Sequence, residues 1–180
     1  MGEKGRWLSL SNRQFGMTRP VIAASLAMVL YGAAACSAGP GEGAAILSAK
    51  QVEVAIKTAD GSVHKFRAEL ARTTVEQAKG LMYRTRIADD GGMLFHPYPA
   101  DGRPPREATF WMKDTPSPLD ILFIRADRTI ARIAENTTPY SQAPIPSGEP
   151  VSAVLELRGG RTAELGIAEG DRVDWPKPIS

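Results

Sequence analysis

The sequence predicts an α+β domain that is mostly β: about seven or eight short strands in a small curled sheet or partial β-barrel, with two short helices. Three observations carry this expectation. Apolar residues recur with a period of two over strand-length segments, as at Val52, Val54 and Ile56 against Glu53, Ala55 and Lys57, the pattern of a strand with one buried face. The segments are separated by Gly, Pro and Asp punctuation, drawn from 17 glycines and 14 prolines among 180 residues. A hydrophobic content of 43% against 23% charged residues supplies one packed core and lies outside the composition of disordered chains.

The folded unit is expected as a single domain over residues 51–176. Gln51 to Thr58 is its first strand, Asp60-Gly61 a hairpin turn, and Val63 to Leu70 the returning strand. The period then changes, and Thr74-x-x-Gln77 reads as the cap of a short helix ending at Gly80, where a left-handed turn costs little. Asp89-Asp90-Gly91-Gly92 turns into Met93-Leu94-Phe95, a short buried strand. Residues 96–107 hold four prolines and are expected as an exposed, stiff loop. Thr109 to Met112 and Leu119 to Ile124 are apolar strand-like runs around a polar knot. A connection at Arg125-Ala126-Asp127-Arg128 leads to Thr129 to Glu135 as the partner strand, and Asn136 to Pro150 is a Pro/Ser-rich loop. Val151 to Leu157 is a further strand, Thr162 to Leu165 a helical turn closed by Gly166, and Asp171 to Trp175 the last strand.

Ahead of the domain, Val21 to Leu30 is an uncharged apolar run, preceded by Arg13 and Arg19 and followed by Gly32, Ala33, Ala34 and Ala35. This is the plan of a signal peptide over residues 1–35, and the run is short for a membrane span. Met17 offers an alternative start with a compact basic segment. Cys36, the only cysteine, follows directly, so the junction reads as an Ala-x-Ala cleavage site or as a lipobox with lipidation of Cys36. Residues 36–50, small and Gly-rich, are expected to be a flexible tether. The expected location is the periplasm or cell envelope, with a membrane contact through lipid on Cys36. Removing residues 1–35 takes away four of 22 basic and one of 20 acidic side chains and leaves a net charge near −1. With no Lys/Arg cluster in the remainder, nucleic acid is discounted as a partner.

The knot from Lys113 to Pro118 is the expected functional surface. Lys113, Asp114 and Thr115 are polar groups on a loop stiffened by Pro116 and Pro118, beside Trp111, which is either core or a rim that stacks on a sugar or peptide. Asp120 is expected on the face of Leu122 and Ile124, where a carboxylate is tied either to backbone amides of the 113–118 loop or to Arg84, or acts as a general acid or base with raised pKa. Glu156, between Leu155 and Leu157, poses the same question; were it to converge with Asp120, a hydrolase acting on an envelope polymer would follow. His64 and His96 lack ligand spacing and are expected at the surface, and Met82, Met93 and Met112 suit packing better than a soft metal. No Ser/His/Asp or Cys/His order and no phosphate loop can be assembled, and no metal or cofactor is expected. The favoured reading is a small ligand- or peptide-binding module, with Arg84, Trp111, Lys113, Asp114, Thr115 and Asp120 as the ligand-binding residues. Its ligand would be a small molecule, sugar or peptide. An accessory acting through protein partners near residues 96–107 is the third class.

Five ordered stretches carry a family resemblance: Gly80-Leu81-Met82-x-Arg84, Gly92-Met93-Leu94-Phe95, Phe110-Trp111-Met112-Lys113-Asp114-Thr115, Leu119-Asp120-Ile121-Leu122-Phe123-Ile124, and Val154-Leu155-Glu156-Leu157 through Gly160. Over about residues 52–175 the chain resembles the domain of unknown function 192 family. The resemblance implies a small β-rich fold in bacterial and archaeal proteins that are often exported, and brings no established activity. Against the family pattern, Asp114 stands where Asn is usual and Ser117 where an apolar residue is common. An ionised carboxylate only accepts hydrogen bonds, whereas the amide both donates and accepts.

Overall fold

A computed structural model describes residues 51–176; the expected leader, Cys36 and the tether lie outside them. Within this range the period-2 segments become β1 (Gln51–Lys57), β2 (Val63–Ala71), β3 (Gly91–Phe95), β4 (Arg106–Phe110), β5 (Leu119–Ile124), β6 (Ile130–Ala134), β7 (Ile145–Val151), β8 (Ala153–Arg158) and β9 (Arg172–Asp174). Two short helices accompany them, α1 (Thr74–Lys79) and α2 (Arg161–Leu165). Seven strands form one sheet in the order β6-β5-β8-β3-β2-β1-β9, antiparallel at each pairing except β2 with β3. The sheet curls until its two edges meet. Thr129 bridges Arg172, the Ile130 N–H donates to the Asp171 carbonyl at 2.9 Å, and the Val173 N–H donates to the Arg128 carbonyl at 2.8 Å. The expected mostly-β partial barrel is what the chain forms.

Alternation along the strands sorts the apolar side chains into two clusters. Val54, Phe66, Leu94, Leu122, Ile130, Leu155 and Val173, one or more from each strand of the seven-stranded sheet, fill the barrel interior. Met93, Phe95, Ile121, Phe123 and Val154 point outward into a second cluster, which Ala108 of β4, Val151 of β7, Met112 and Leu81 cover. Strands β3, β5 and β8 are therefore buried on both faces, which is why Leu119–Ile124 and Ala153–Arg158 read as almost unbroken apolar runs. Close packing at the barrel wall needs Gly92, where a Cβ would collide with the backbone carbonyl of Glu156.

Three local expectations change. The stretch expected as a Pro/Ser-rich loop contains β7, with Pro146 opposite Thr109 and Pro150 opposite Glu107 in a separate two-stranded sheet with β4. Each strand there is an edge, the position in a sheet where proline is tolerated. Strand β4 starts at Arg106, inside the expected 96–107 loop, and ends at Phe110, which leaves Trp111 beyond its end. The capping box of α1 uses Thr73 and Glu76, one residue ahead of the expected pair: Glu76 N–H donates to Thr73 Oγ1 at 3.2 Å and Thr73 N–H donates to Glu76 Oε2 at 3.0 Å.

Candidate functional site

On the outer face of the barrel, α1, the turn Gly80 to Met82, the loop after β3 and strand β4 enclose an open cleft of about 320 Å³. Its floor is formed by side chains that are themselves almost wholly buried: Leu81, Phe95 and Glu156. Phe95 and Phe110 meet edge to face with centroids 5.2 Å apart, and Tyr98 lies 6.0 Å from Phe110, so aromatic surface surrounds the carboxyl. Gln77, Lys79, Asp101, Arg106 and Thr109 stand along the walls, and Trp111, 50% exposed, forms the rim. Gly80 opens the floor. Its φ of 49° lies in the left-handed region that favours glycine, and a Cβ there would sit 3.3 Å from Phe95 Cζ and 3.7 Å from Glu156 Oε2.

Glu156 is the unusual group. It lies in the middle of β8, opposite Met93 of β3 and Ile121 of β5, and alternation turns it outward because Leu155 and Leu157 pack inside. Only 4% of it is exposed, and its Oε2 has no hydrogen-bond partner. Burial pushes its carboxyl up to about 8, with the Leu81 backbone N–H pulling in the other direction and no charged side chain entering the balance. The group is therefore predominantly neutral near pH 7, and a neutral carboxyl has an O–H to donate.

The residues expected as a site divide between the cleft and its supports. Trp111 and Thr115 line the cleft. Thr115 is buried and donates its hydroxyl to the Lys113 carbonyl at 3.1 Å, so it shapes the knot as much as the wall. The Lys113 ammonium lies 5.6 Å from the Trp111 ring centroid, a cation–π approach outside the lining. Asp114 adopts φ 54°, a conformation that Asn and Asp tolerate best among residues with a Cβ, which gives the exchange of one for the other a backbone rationale. Its carbonyl accepts the Tyr83 N–H at 2.7 Å and its carboxylate accepts the Tyr83 hydroxyl at 3.2 Å, the contact that chiefly raises the Tyr83 pKa.

Arg84 and Asp120 lie outside the lining and do not meet. Arg84 pairs with Glu69 at 2.9 Å, while its carbonyl accepts the Ser117 hydroxyl. Asp120 faces the barrel-interior side, as alternation requires, yet its partners are neither Arg84 nor the 113–118 loop. It accepts N–H groups from Asn136 at 2.7 Å, Gly160 at 2.9 Å and Thr162 at 2.8 Å, and the Thr162 hydroxyl at 2.7 Å. Asp120 is paired across the ladder with Leu157, an inward residue, whereas Glu156 points outward. The two carboxyls thus leave opposite faces of the sheet, and the convergence that hydrolysis through them required is absent.

His96, expected at the surface, is half-buried against Trp175 with ring centroids 5.0 Å apart, and burial lowers its pKa. Met93 and Met112 are buried in the outer cluster, where the Met112 sulfur accepts the Thr137 hydroxyl at 3.1 Å. Sequence reasoning missed Glu156 as a cleft residue, and it missed Tyr83 and Tyr140. Both tyrosines are exposed, both have positive φ, and their N–H groups donate to the carbonyls of Asp114 and Thr115. A signal for Glu156 was present: four of the five family-like stretches contribute to the cleft, through Gly80 to Met82, Phe95, Phe110 with Trp111 and Thr115, and Glu156.

The model of the domain of unknown function 192 (DUF192), described as an uncharacterized ACR, matches residues 55–175. The chain belongs to the DUF192 family. Two solved structures are similar to this DUF192 protein. A protein of unknown function from Novosphingobium aromaticivorans DSM 12444 is 49% identical, with 69% of this chain and 85% of that chain covered and a TM-score of 0.64. A candidate transcription regulator from Sinorhizobium meliloti 1021 is 44% identical, with 69% and 93% covered and a TM-score of 0.65. Among curated proteins none matches this DUF192 chain.

Proposed function

We propose that this DUF192 protein is an exported cell-envelope binding module, and that the cleft beside Trp111 holds its ligand, a small molecule, sugar or peptide. One observation carries the cleft: a buried carboxyl with an unpartnered oxygen forms the floor of an open, aromatic-lined cavity. An unpaired buried polar atom costs free energy, and a ligand that completes its hydrogen bonding gives that cost a purpose. Trp111 and Thr115 remain in the binding set and Glu156 joins them; Lys113 and Asp114 shape the rim, and Arg84 and Asp120 hold the surrounding fold.

Hydrolysis through paired carboxylates is not retained, given their opposite orientations. The regulatory designation of the Sinorhizobium relative finds little support in this chain. Its net charge beyond residue 35 is near −1, and many arginines are engaged by acids, among them Arg67 with Asp90 and Arg158 with Asp89 and Glu164.

Titration with a panel of envelope sugars and short peptides tests the cleft. Trp111→Ala is expected to weaken binding by roughly tenfold or more, as for an aromatic anchor, while shifting stability by only about 0.5 kcal/mol, as for an exposed site. Severe destabilisation with unchanged affinity would show that Trp111 is structural. Export and lipidation rest on the leader and Cys36. Protein recovered from the envelope should begin at Cys36 and carry an acylated mass; a chain that keeps residues 1–35 would refute export.

A further inference from the structure

We propose that Glu156 is the recognition residue of the cleft, donating a hydrogen bond from its neutral carboxyl to a hydroxyl or carbonyl oxygen of an uncharged ligand that carries a single ring. This rests on the cleft being a binding site and adds the chemistry of what it binds. Two features on the same floor point to it. Oε2 is unpartnered on a side chain only 4% exposed, so the cavity presents a hydrogen-bonding atom with its hydration largely stripped away. Around it the edge-to-face pair of Phe95 and Phe110, with Tyr98 beyond and Trp111 at the rim, offers apolar and aromatic faces to a ring, and the space of about 320 Å³ accommodates one.

The charges facing the cleft argue against the obvious alternative, an ammonium seated on an ionised Glu156. From α1 comes Lys79, from β4 comes Arg106, and the loop after β3 supplies Tyr98 and Asp101. Asp101 is the acidic member of that set, and it is already paired with Arg103 and lies 3.6 Å from Arg106. Next to Glu156 in the sheet, β3 and β5 contribute Met93 and Ile121, which carry no charge. A cationic ligand would meet Lys79 and Arg106 on entry and would have to ionise an acid held by apolar walls. An anionic ligand would meet the wall cations at the mouth, and to reach the O–H at the floor it would have to shed its hydration among apolar side chains. An uncharged ring with an oxygen acceptor uses both the aromatic lining and the donor.

A charge series on a benzene ring, with one uncharged sugar beside it, tests this without any variant. The ¹⁵N-labelled full chain is titrated near pH 7 with benzamide, N-acetylglucosamine, benzoate and benzylammonium, following the Gly80 and Leu81 amides and the Trp111 indole N–H. Benzamide, N-acetylglucosamine or both should shift these signals saturably, with benzoate and benzylammonium weaker by roughly tenfold or more. Which of the two uncharged probes binds better separates an aromatic ring from a sugar ring. Tightest binding of benzylammonium would replace the donor by a carboxylate anchor, and tightest binding of benzoate would move recognition to Lys79 and Arg106; either overturns the proposal but leaves the binding module standing. No shift with any probe at millimolar concentration overturns both. Affinity for the favoured probe should also fall as pH rises past about 8, and Glu156→Gln should abolish that fall; persistence of the fall in the variant would assign it to another group.

Discussion

Replacing Asp120 by Ala should cost on the order of 3–5 kcal/mol of stability, measured by urea unfolding, as expected when a buried charged hydrogen-bond acceptor is removed. The carboxylate is fully buried and collects four donors from two segments distant in sequence: Asn136 beyond β6, and Gly160 with Thr162 at the start of α2. Without it, three backbone N–H groups lose their acceptor where little water enters. Asp120→Asn should be milder, with a loss of about 1–3 kcal/mol, because one oxygen is kept while an NH₂ group is turned toward a donor. A loss below about 1 kcal/mol for Ala would mean that water replaces the carboxylate and that Asp120 does not tie these segments together.

Asp120 and Glu156 also mark the limit of what the sequence discloses. Each is an acid flanked by apolar neighbours in a strand, L-D-I and L-E-L, and the local pattern is the same. Tertiary placement separates them. Asp120 is the second residue of β5, on the interior side, where the chain of Asn136 and the start of α2 arrive with N–H groups that it accepts. Glu156 lies in the middle of the barrel wall on the outer side, where its surroundings are Phe95, Gly80 and the Leu81 amide. Period-2 alternation correctly assigns Asp120 to the face of Leu122 and Ile124, because side-chain direction in a strand is local. It cannot name partners 16 to 42 residues away.

The same division runs through the fold. The β1–β2 hairpin and the connection from β5 to its partner β6 are legible because period and turn chemistry are local, whereas the pairing of β5 with β8 is not. Nor is strand β7, because Pro146 and Pro150 read as loop residues until its edge position beside β4 makes them harmless. Trp111 is legible as a large aromatic beside a polar knot, but the choice between core and rim is made only by its exposure in the fold. The wall opposite it is not legible, since α1 and the loop after β3 reach the cleft only through the curl of the sheet.

The stability of this protein should fall as pH rises from mildly acidic to mildly alkaline, and Glu156 is the reason. Its carboxyl moves from an ordinary value of 4.5 to about 8 in the fold. The folded state therefore holds the proton more tightly than the unfolded chain, and the stabilisation is fully present below about 4.5 and is lost as pH rises through about 8. The slope approaches about 1.4 kcal/mol per pH unit inside that window and the total is on the order of 3–5 kcal/mol. His96 works in the opposite direction at the lower end, because burial depresses its pKa and its contribution grows as pH rises toward the ordinary histidine value. Asp101, held near 2 chiefly by its hydrogen bond with Arg103, acts below the window. Comparing wild type with Glu156→Gln removes these shared contributions. The variant keeps a neutral side chain of similar shape, so the two proteins should be nearly equal in stability near pH 4.5 and should diverge steadily above it, Gln being the more stable by several kcal/mol near pH 9. Thermal or urea unfolding across that range reads the difference directly. Parallel curves would mean that Glu156 is ionised in the fold with its charge compensated, and the donor at the floor of the cleft would be lost with it.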